Sequence, residues 1–401
     1  MRFQMRLRKL LGTAKDVTGR IRRRVRYKLG ALVEEPVRDV VFVSVQNAST
    51  IAEGYSGVVA ETLIEDSPMT AVIPKHLDGE SLAGIRPFST ALSTVLLDIR
   101  NDRFSLRNRV VWDDQQRILF PASATKEQVL FFNEHAQRPR RHLAGTVAYL
   151  SNTWIDNYYH WMQLALPLLR LYRLLRPAVE INYYYVGHSQ IQKTITESLL
   201  EAGVSPDQIV AENCTADRIL VALPVRPEQP VGFNYRDQFG HEFVRSIFRA
   251  ECLVGSTDSP RRIFVRRGAT RMRRLINEDE VIKFLSHYGF SAVSMDGRRV
   301  IDQAKLFANA EVIVGVHGAA LTNLLFIQPG TKVIEIFPCE FHEPGMFTAA
   351  SYSKADYYMM LGSPLDPSSD KKALRMQHTI LDLKKLERIL QKADVKKIVS
   401  H

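Results

Sequence analysis

Between residues 262 and 337, short runs of Val, Ile and Phe alternate with helical stretches and Gly or Pro stops, and this alternation restricts the fold more than any other feature. Residues 262–266, 291–295, 312–316 and 332–337 read as strands of four to six residues. Between them, 277–288 reads as a helix closed by Gly289, 301–310 as a second, and 319–326 as a third ending before Pro329. Apolar strands separated by helices make a parallel sheet with crossover helices, so a doubly wound unit is expected over residues 255–370. Upstream the same rhythm is looser. Strands are expected at 40–45, 147–150, 181–186 and 218–223, with helices at 158–175, 189–202 and 239–252. Residues 50–145 mix short apolar runs with turns, and no topology can be read from them.

The polar stretch 255–260 (GSTDSP) divides the body. The expected organisation is a basic segment over 1–35, an α/β lobe over 36–254, a second α/β lobe over 255–370, and a C-terminal helix within 371–401 that packs back on either lobe. Ligands of open α/β sheets bind beyond the carboxyl ends of the strands, so two facing lobes leave a cleft with room for two ligands.

The net charge of +11 is local. Residues 1–30 hold eleven Lys and Arg against one acid, Asp16, which leaves 43 basic and 42 acidic side chains for the rest. Phe3, Leu7, Leu10, Leu11, Ala14, Val17, Ile21, Val25 and Leu29 follow helical spacing. A basic amphipathic helix can lie on an anionic membrane surface; a helix packed on the body, or a frayed basic tail, fits the same pattern. No nucleic-acid motif accompanies the charge, so no nucleic-acid partner is expected. Cys214, Cys252 and Cys339 form no paired or metal-binding spacing, which suits a reducing compartment. No apolar run reaches the ~18–20 residues of a membrane span, and no signal-peptide core is evident. The expected location is cytoplasmic, with contact at the inner membrane face as an option.

Three segments carry candidate chemistry. In residues 312–323 (VIVGVHGAALTN) a buried strand runs into His317, Gly318, Ala319 and Ala320, where a helix begins. Small residues admit a ligand to the backbone, free N–H groups of a first helical turn favour a phosphate, and His317 and Asn323 are further donors. A tight turn around a buried histidine explains the same residues. In residues 262–280 five arginines, Arg266, Arg267, Arg271, Arg273 and Arg274, fall within nine positions at a strand's carboxyl end, ahead of a helix start at Asn277. Guanidinium forks suit phosphate oxygens; a solvated basic loop is the alternative. In residues 156–163 (DNYYHWMQ) Asp156, Asn157, Tyr159, His160 and Trp161 gather at a helix start. His160 can act as a base near neutral pH, and sugars stack on aromatic faces; an interface histidine under an aromatic cluster is the alternative. Glu335 stands in an apolar strand and needs a partner, for which a ribose hydroxyl pair and a buried arginine fit equally. No Asp-x-Asp, zinc spacing, P-loop or Gly-x-Ser-x-Gly is present.

Taken in order, NYYHW (157–161), LP (166–167), RR with RRLINEDEV (266–281) and LFANAEVIVGVHGAALTNLLFIQPGTKVIEIFP (306–338) resemble the family 61 glycosyltransferases. The resemblance covers about residues 150–340. It implies a GT-B architecture of two Rossmann-like lobes facing a cleft, with the donor on the C-terminal lobe and metal-independent transfer with inversion. It places a nucleotide-sugar co-substrate, UDP- or other NDP-linked, on Arg266, Arg267, Arg274, Asn277, His317, Gly318, Ala319, Ala320, Asn323 and Glu335, with no bound cofactor or metal. It makes His160 the candidate base or an acceptor contact, with Asp156, Asn157, Tyr159 and Trp161 on the acceptor side. Family members often carry an acid three or four positions after this histidine; Gln163 and Leu164 stand there. A body with a basic N-terminal segment is similar to bacterial members, which implies a glycan or lipid-linked acceptor in surface-polysaccharide synthesis. A non-catalytic nucleotide-sugar or polysaccharide-binding protein is the alternative.

Overall fold

A computed structural model describes residues 34–36, 39–43, 58–67, 75–76, 90–100, 103–121, 135–139, 141–151, 154–174, 179–225, 238–255, 259–267, 272–338, 345–365 and 377–398. The basic segment over 1–30, Arg271 and Cys339 lie outside the described residues.

The C-terminal sheet is parallel, in the order Ser291–Val293, Arg262–Val265, Val312–Val316, Lys332–Phe337, Asp356–Leu361 and Lys75–His76. The first four strands stand where the apolar runs place them. The fifth was not recognised in the sequence, and the sixth comes from far upstream. Pairing sets Ile313 beside Ile263 and Val333, and Glu335 beside Gly315 and Met359. Side chains alternate between two cores, as the pleat requires. Ile263, Val265, Ile313, Val333, Tyr357 and Met359 face one cluster with the helix Val300–Ala308 and the turn Ala319–Phe326. Phe264, Val312, Val314, Val316, Ile334, Ile336, Tyr358 and Met360 face another. That second face is covered by the helix Glu278–Ser286 and by the C-terminal helix Leu383–Lys392. The C-terminal helix therefore packs on this sheet. Asp382 caps it, accepting from Lys384 N–H at 2.8 Å, and the extended pair Thr379–Ile380 precedes it.

The N-terminal sheet is mixed. Ile209–Val210, Tyr183–Tyr185, Arg141–Tyr149 and Cys214–Val225 run parallel and form its α/β part. Thr90–Ile99 joins Cys214–Val225 antiparallel and carries Val58–Ser67 on its other side. Ser105–Arg107, Val110–Trp112 and Arg117–Pro121 form a meander, with Asp39–Val43 parallel at its edge. One apolar cluster holds Ala148, Tyr184 and Leu220 of this sheet together with Ile263, Ile313 and Leu324 of the other half.

Two helices differ from expectation. The stretch from Tyr158 to Leu174 is one helical turn, a π-turn over Trp161–Ala165, and a helix over Leu168–Leu174. Leu166 N–H reaches back five residues to the Trp161 carbonyl at 2.9 Å, and Pro167 supplies no N–H at the break. Ala319–Phe326 winds as a 3₁₀ helix, with Leu321 N–H donating to the Gly318 carbonyl at 2.9 Å. Arg245 closes its far end by donating to the carbonyls of Leu325 and Ile327 at 2.7 and 2.8 Å.

Candidate functional site

At the carboxyl end of Val312–Val316 the chain turns through His317 and Gly318 into the 3₁₀ helix. His317 N–H donates to the Ile336 carbonyl at 2.8 Å, and its ring stacks on Phe337 with centroids 5.0 Å apart. Its Nδ1 lies 2.6 Å from Oε1 of Glu335, so with Glu335 ionised the ring carries its proton on Nδ1. The other Glu335 oxygen accepts from the Tyr357 hydroxyl. Burial, reinforced by the Glu335 charge, pushes that hydroxyl well above its usual pKa. Glu335 is fully buried. Its partners are thus His317 and Tyr357, not the ribose pair or arginine that its strand position suggested. The cause is register: residues 335, 337 and 357 point to one face, where His317 also arrives.

The arginine loop meets this turn from the neighbouring strand. Glu278, in the first turn of its helix, accepts from Arg266 Nε and Nη2 at 3.2 and 3.1 Å and from Arg267 N–H at 2.9 Å. Glu278 thereby folds the loop back and engages Arg266. Arg267 then extends across Gly318. A Cβ built on Gly318 would fall 1.5 Å from Arg267 Nη1, and Gly318 itself is extended with φ 168°. Glycine is required there for the guanidinium's approach rather than for backbone conformation. Arg267 Nε is shielded from solvent and has no hydrogen-bond partner among the described residues. Burial, together with repulsion from Arg273, pulls the Arg267 guanidinium down to about 10. Arg273 holds a left-handed backbone at φ +55° and also has a shielded Nε. Two guanidiniums that repel each other in a partly buried setting would be relieved by a neighbouring anion.

Other expected donor contacts are engaged within the protein. Both polar atoms of Asn277 bind the main chain of Leu381, at 2.9 and 3.0 Å. Asn323 is fully buried; it accepts from the Tyr158 hydroxyl at 2.7 Å and donates to Gln303 Oε1 at 2.8 Å and the Ala320 carbonyl at 3.0 Å. These two asparagines hold the fold around the turn, and both Nδ2 hydrogens of Asn323 are used within the protein. Arg274 is exposed, and its N–H donates to His378 Nδ1 at 3.1 Å. Ala319 and Ala320 are partly exposed.

The His160 segment packs against the same 3₁₀ helix through the Tyr158–Asn323 bond. Asn157 caps the first helical turn by accepting from Tyr159 N–H at 2.9 Å. The π-turn begins immediately after His160, and such turns are frequent at functional sites because they re-aim one side chain. His160 is partly exposed, edge-on to Tyr159 at 5.2 Å and tilted to Trp154 at 6.3 Å. Asp156 does not serve it as an orienting acid. Asp156 accepts from Ser189 Oγ at 2.9 Å and Gln190 N–H at 2.8 Å, and pairs with Arg109 Nη1 at 2.8 Å. Burial opposes its ionisation, but these contacts outweigh it and hold the carboxyl below its usual range. Trp161 is a core residue, fully buried with its indole N–H on Ser198 Oγ at 2.7 Å, so its face is not presented to a sugar. Gln163 is buried, and its Nε2 has no partner among the described residues. Sequence reasoning missed Tyr158, Gln303, Tyr357 and Arg109, whose roles depend on long-range pairing, and left Arg273 without a separate role.

Comparison with known proteins places these residues. Residues 158–334 match the family model Glycosyltransferase 61. The chain is 32% identical over 108 residues to a beta-1,2-xylosyltransferase of Arabidopsis thaliana, covering 24% of this chain and 20% of that protein. It is 31% identical over 91 residues to the EGF domain-specific O-linked N-acetylglucosamine transferase of Mus musculus, covering 21% and 17%. It is 38% identical over 72 residues to a xylan glycosyltransferase of Arabidopsis thaliana, covering 17% and 15%. The matched part therefore spans a fifth or less of these relatives' own length. The His160 turn, the arginine loop and the His317–Gly318 turn all fall inside residues 158–334, and their match to Glycosyltransferase 61 supports a glycosyltransferase.

Proposed function

We propose that the chain transfers a sugar from a nucleotide-linked donor to a glycan or lipid-linked acceptor, with inversion and without a metal ion. The carrying observation is the Arg267 guanidinium laid over Gly318 beside Arg273, a pair of cations at the carboxyl ends of a parallel sheet. On this reading the two sheets are the lobes of a GT-B arrangement and the C-terminal one holds the diphosphate. The acceptor hydroxyl gives its proton to His160 and attacks the anomeric carbon. The bond to the diphosphate oxygen breaks, and its charge is taken by Arg267, Arg273 and the backbone at Gly318–Ala320, with Arg266 and Arg274 at the rim. Xylosyl, arabinosyl and N-acetylglucosaminyl donors make up the first panel to test, because relatives carry those names. A surface polysaccharide, made at the cytoplasmic face of a membrane through residues 1–30, is the proposed setting; the relatives above are plant and animal proteins.

The test is transfer by the purified full chain, with product configuration read by proton NMR in excess chelator. Inverted product is expected, and retained configuration or a strict need for divalent metal would overturn this mechanism. A second reading, a nucleotide-sugar-binding protein without transfer chemistry, draws on Gln163 and on the engagement of Asp156 by Arg109, Ser189 and Gln190. Binding of nucleotide without transfer or hydrolysis would favour it.

A further inference from the structure

One polar contact joins the two candidate motifs directly. Tyr158 lies two residues before His160, and its hydroxyl donates 2.7 Å to Oδ1 of Asn323, five residues beyond Gly318 in the 3₁₀ helix. Asn323 is 0% exposed, and Thr322 beside it is equally buried. The other end of the Asn323 carboxamide donates to Gln303 Oε1 on the helix Val300–Ala308, and Gln303 Nε2 donates onward to the Arg298 carbonyl at 3.1 Å. The chain of donors runs in one direction: Tyr158 hydroxyl, Asn323 carboxamide, Gln303 carboxamide, Arg298 carbonyl. Each carboxamide has both ends used, which fixes the orientation of each. The contact spans 165 positions of sequence and is part-buried, and the Asn323–Gln303 bond beyond it is buried, so a missing partner would strand a buried polar group of Asn323. Such a network favours one relative placement of the elements it joins.

We propose that Tyr158, Asn323 and Gln303 form a buried latch that holds the His160 turn and the phosphate-binding turn at Gly318 as one rigid unit. These are positioning residues: none has to touch substrate. The latch sets where the base stands relative to the anomeric carbon, and in this it rests on the transfer reading above. Its mechanical part does not depend on that reading. The latch also accounts for the burial of Asn323, which a donor contact would not need.

The test is Tyr158→Phe in the full chain, which removes one oxygen and keeps the ring. Hydrogen exchange read by mass spectrometry is the first arm. About tenfold faster exchange is expected in residues 158–165 and 319–326 together, with the strand Cys214–Val225 unchanged. The second arm is kinetic: turnover falls about tenfold or more while the Kd for a nucleoside diphosphate stays within about twofold. Asn323→Asp is the companion variant. It keeps the acceptor for Tyr158 but cannot donate to Gln303, so exchange rises in 319–326 and less in 158–165. Faster exchange confined to 158–165 in Tyr158→Phe would overturn the latch. So would turnover that is unchanged, or that falls only in step with nucleotide affinity. If the wild-type chain transfers no sugar, the transfer reading fails on its own and the exchange arm still decides the latch.

Discussion

Gly318→Ala adds one methyl group at the point where Arg267 crosses the His317–Gly318 turn. The built Cβ falls 1.5 Å from Nη1 and 2.6 Å from Cζ of Arg267, whereas unstrained contacts lie near ~3.5 Å. The guanidinium must therefore move by about 2 Å. The backbone at Gly318 is extended, so alanine is not strained there and the burden falls on Arg267. The main-chain N–H of Arg267 stays bound to Glu278, which confines the change to the side chain. If this guanidinium binds a donor phosphate, its displacement removes one or two charge-assisted hydrogen bonds, about 1.5–3 kcal/mol or roughly a 10- to 150-fold weaker Kd. The cost to folding is small, about 1 kcal/mol or less, because the far end of a flexible side chain moves rather than backbone. Isothermal titration with a nucleoside diphosphate measures the first quantity and urea unfolding the second. Affinity within about twofold of wild type would refute the placement of the phosphate against the Arg267 guanidinium. A large loss of folding stability would refute the assignment of the burden to a movable side chain.

His160→Ala is expected to leave nucleotide affinity within about twofold and to lower turnover by about a hundredfold or more; steady-state rates and titration on one preparation separate the two effects. Glu335→Leu leaves the Tyr357 hydroxyl and His317 Nδ1 without their acceptor and is expected to cost about 2–5 kcal/mol in urea unfolding, with Tyr357→Phe costing about 1 kcal/mol. His241 is buried against Ser353, and burial, with Arg245 nearby, pushes its imidazole down to about 3. Its native pKa lies below its unfolded value near 6.5, so the stabilisation is complete above that pH. As pH falls below it, the unfolded chain binds a proton that the native chain does not. Urea unfolding should show stability falling by on the order of 1.4 kcal/mol per pH unit towards pH 3, and His241→Gln should flatten that dependence.

The C-terminal sheet was legible because its central strands are buried on both faces. That burial favours Val- and Ile-rich runs, and Gly289 and Pro329 mark the ends of two of the intervening helices. Val312–Val316 and Lys332–Phe337 fall on the expected residues. Ser105–Arg107 and Val110–Trp112 are three residues each, too short to establish a period, and their pairing with Arg117–Pro121 and Cys214–Val225 is set by the tertiary structure. The π-turn after His160 leaves no local mark, since Trp161–Ala165 carries ordinary helical residues. At the site, residue type indicated chemistry but not allegiance. Asn277 and Asn323 stand where a ligand contact is plausible, and the structure uses both for its own main chain and side chains. Glu335 needed a partner, and it came from Tyr357, in a strand that had not been recognised, and from His317, which had been assigned elsewhere. Partners that lie across a sheet or between sheets are invisible to spacing along the chain.

On the proposed reading a donor diphosphate binds against the Arg267 guanidinium where it crosses the His317–Gly318 turn. Titrating the full chain with a panel of nucleoside diphosphates and nucleotide sugars, alongside Arg267→Ala, tests it directly. Saturable binding of at least one nucleotide by the wild-type chain is expected, weakened at least about tenfold in Arg267→Ala with the fold retained. Binding of no nucleotide, or equal binding by the wild type and Arg267→Ala, would contradict it.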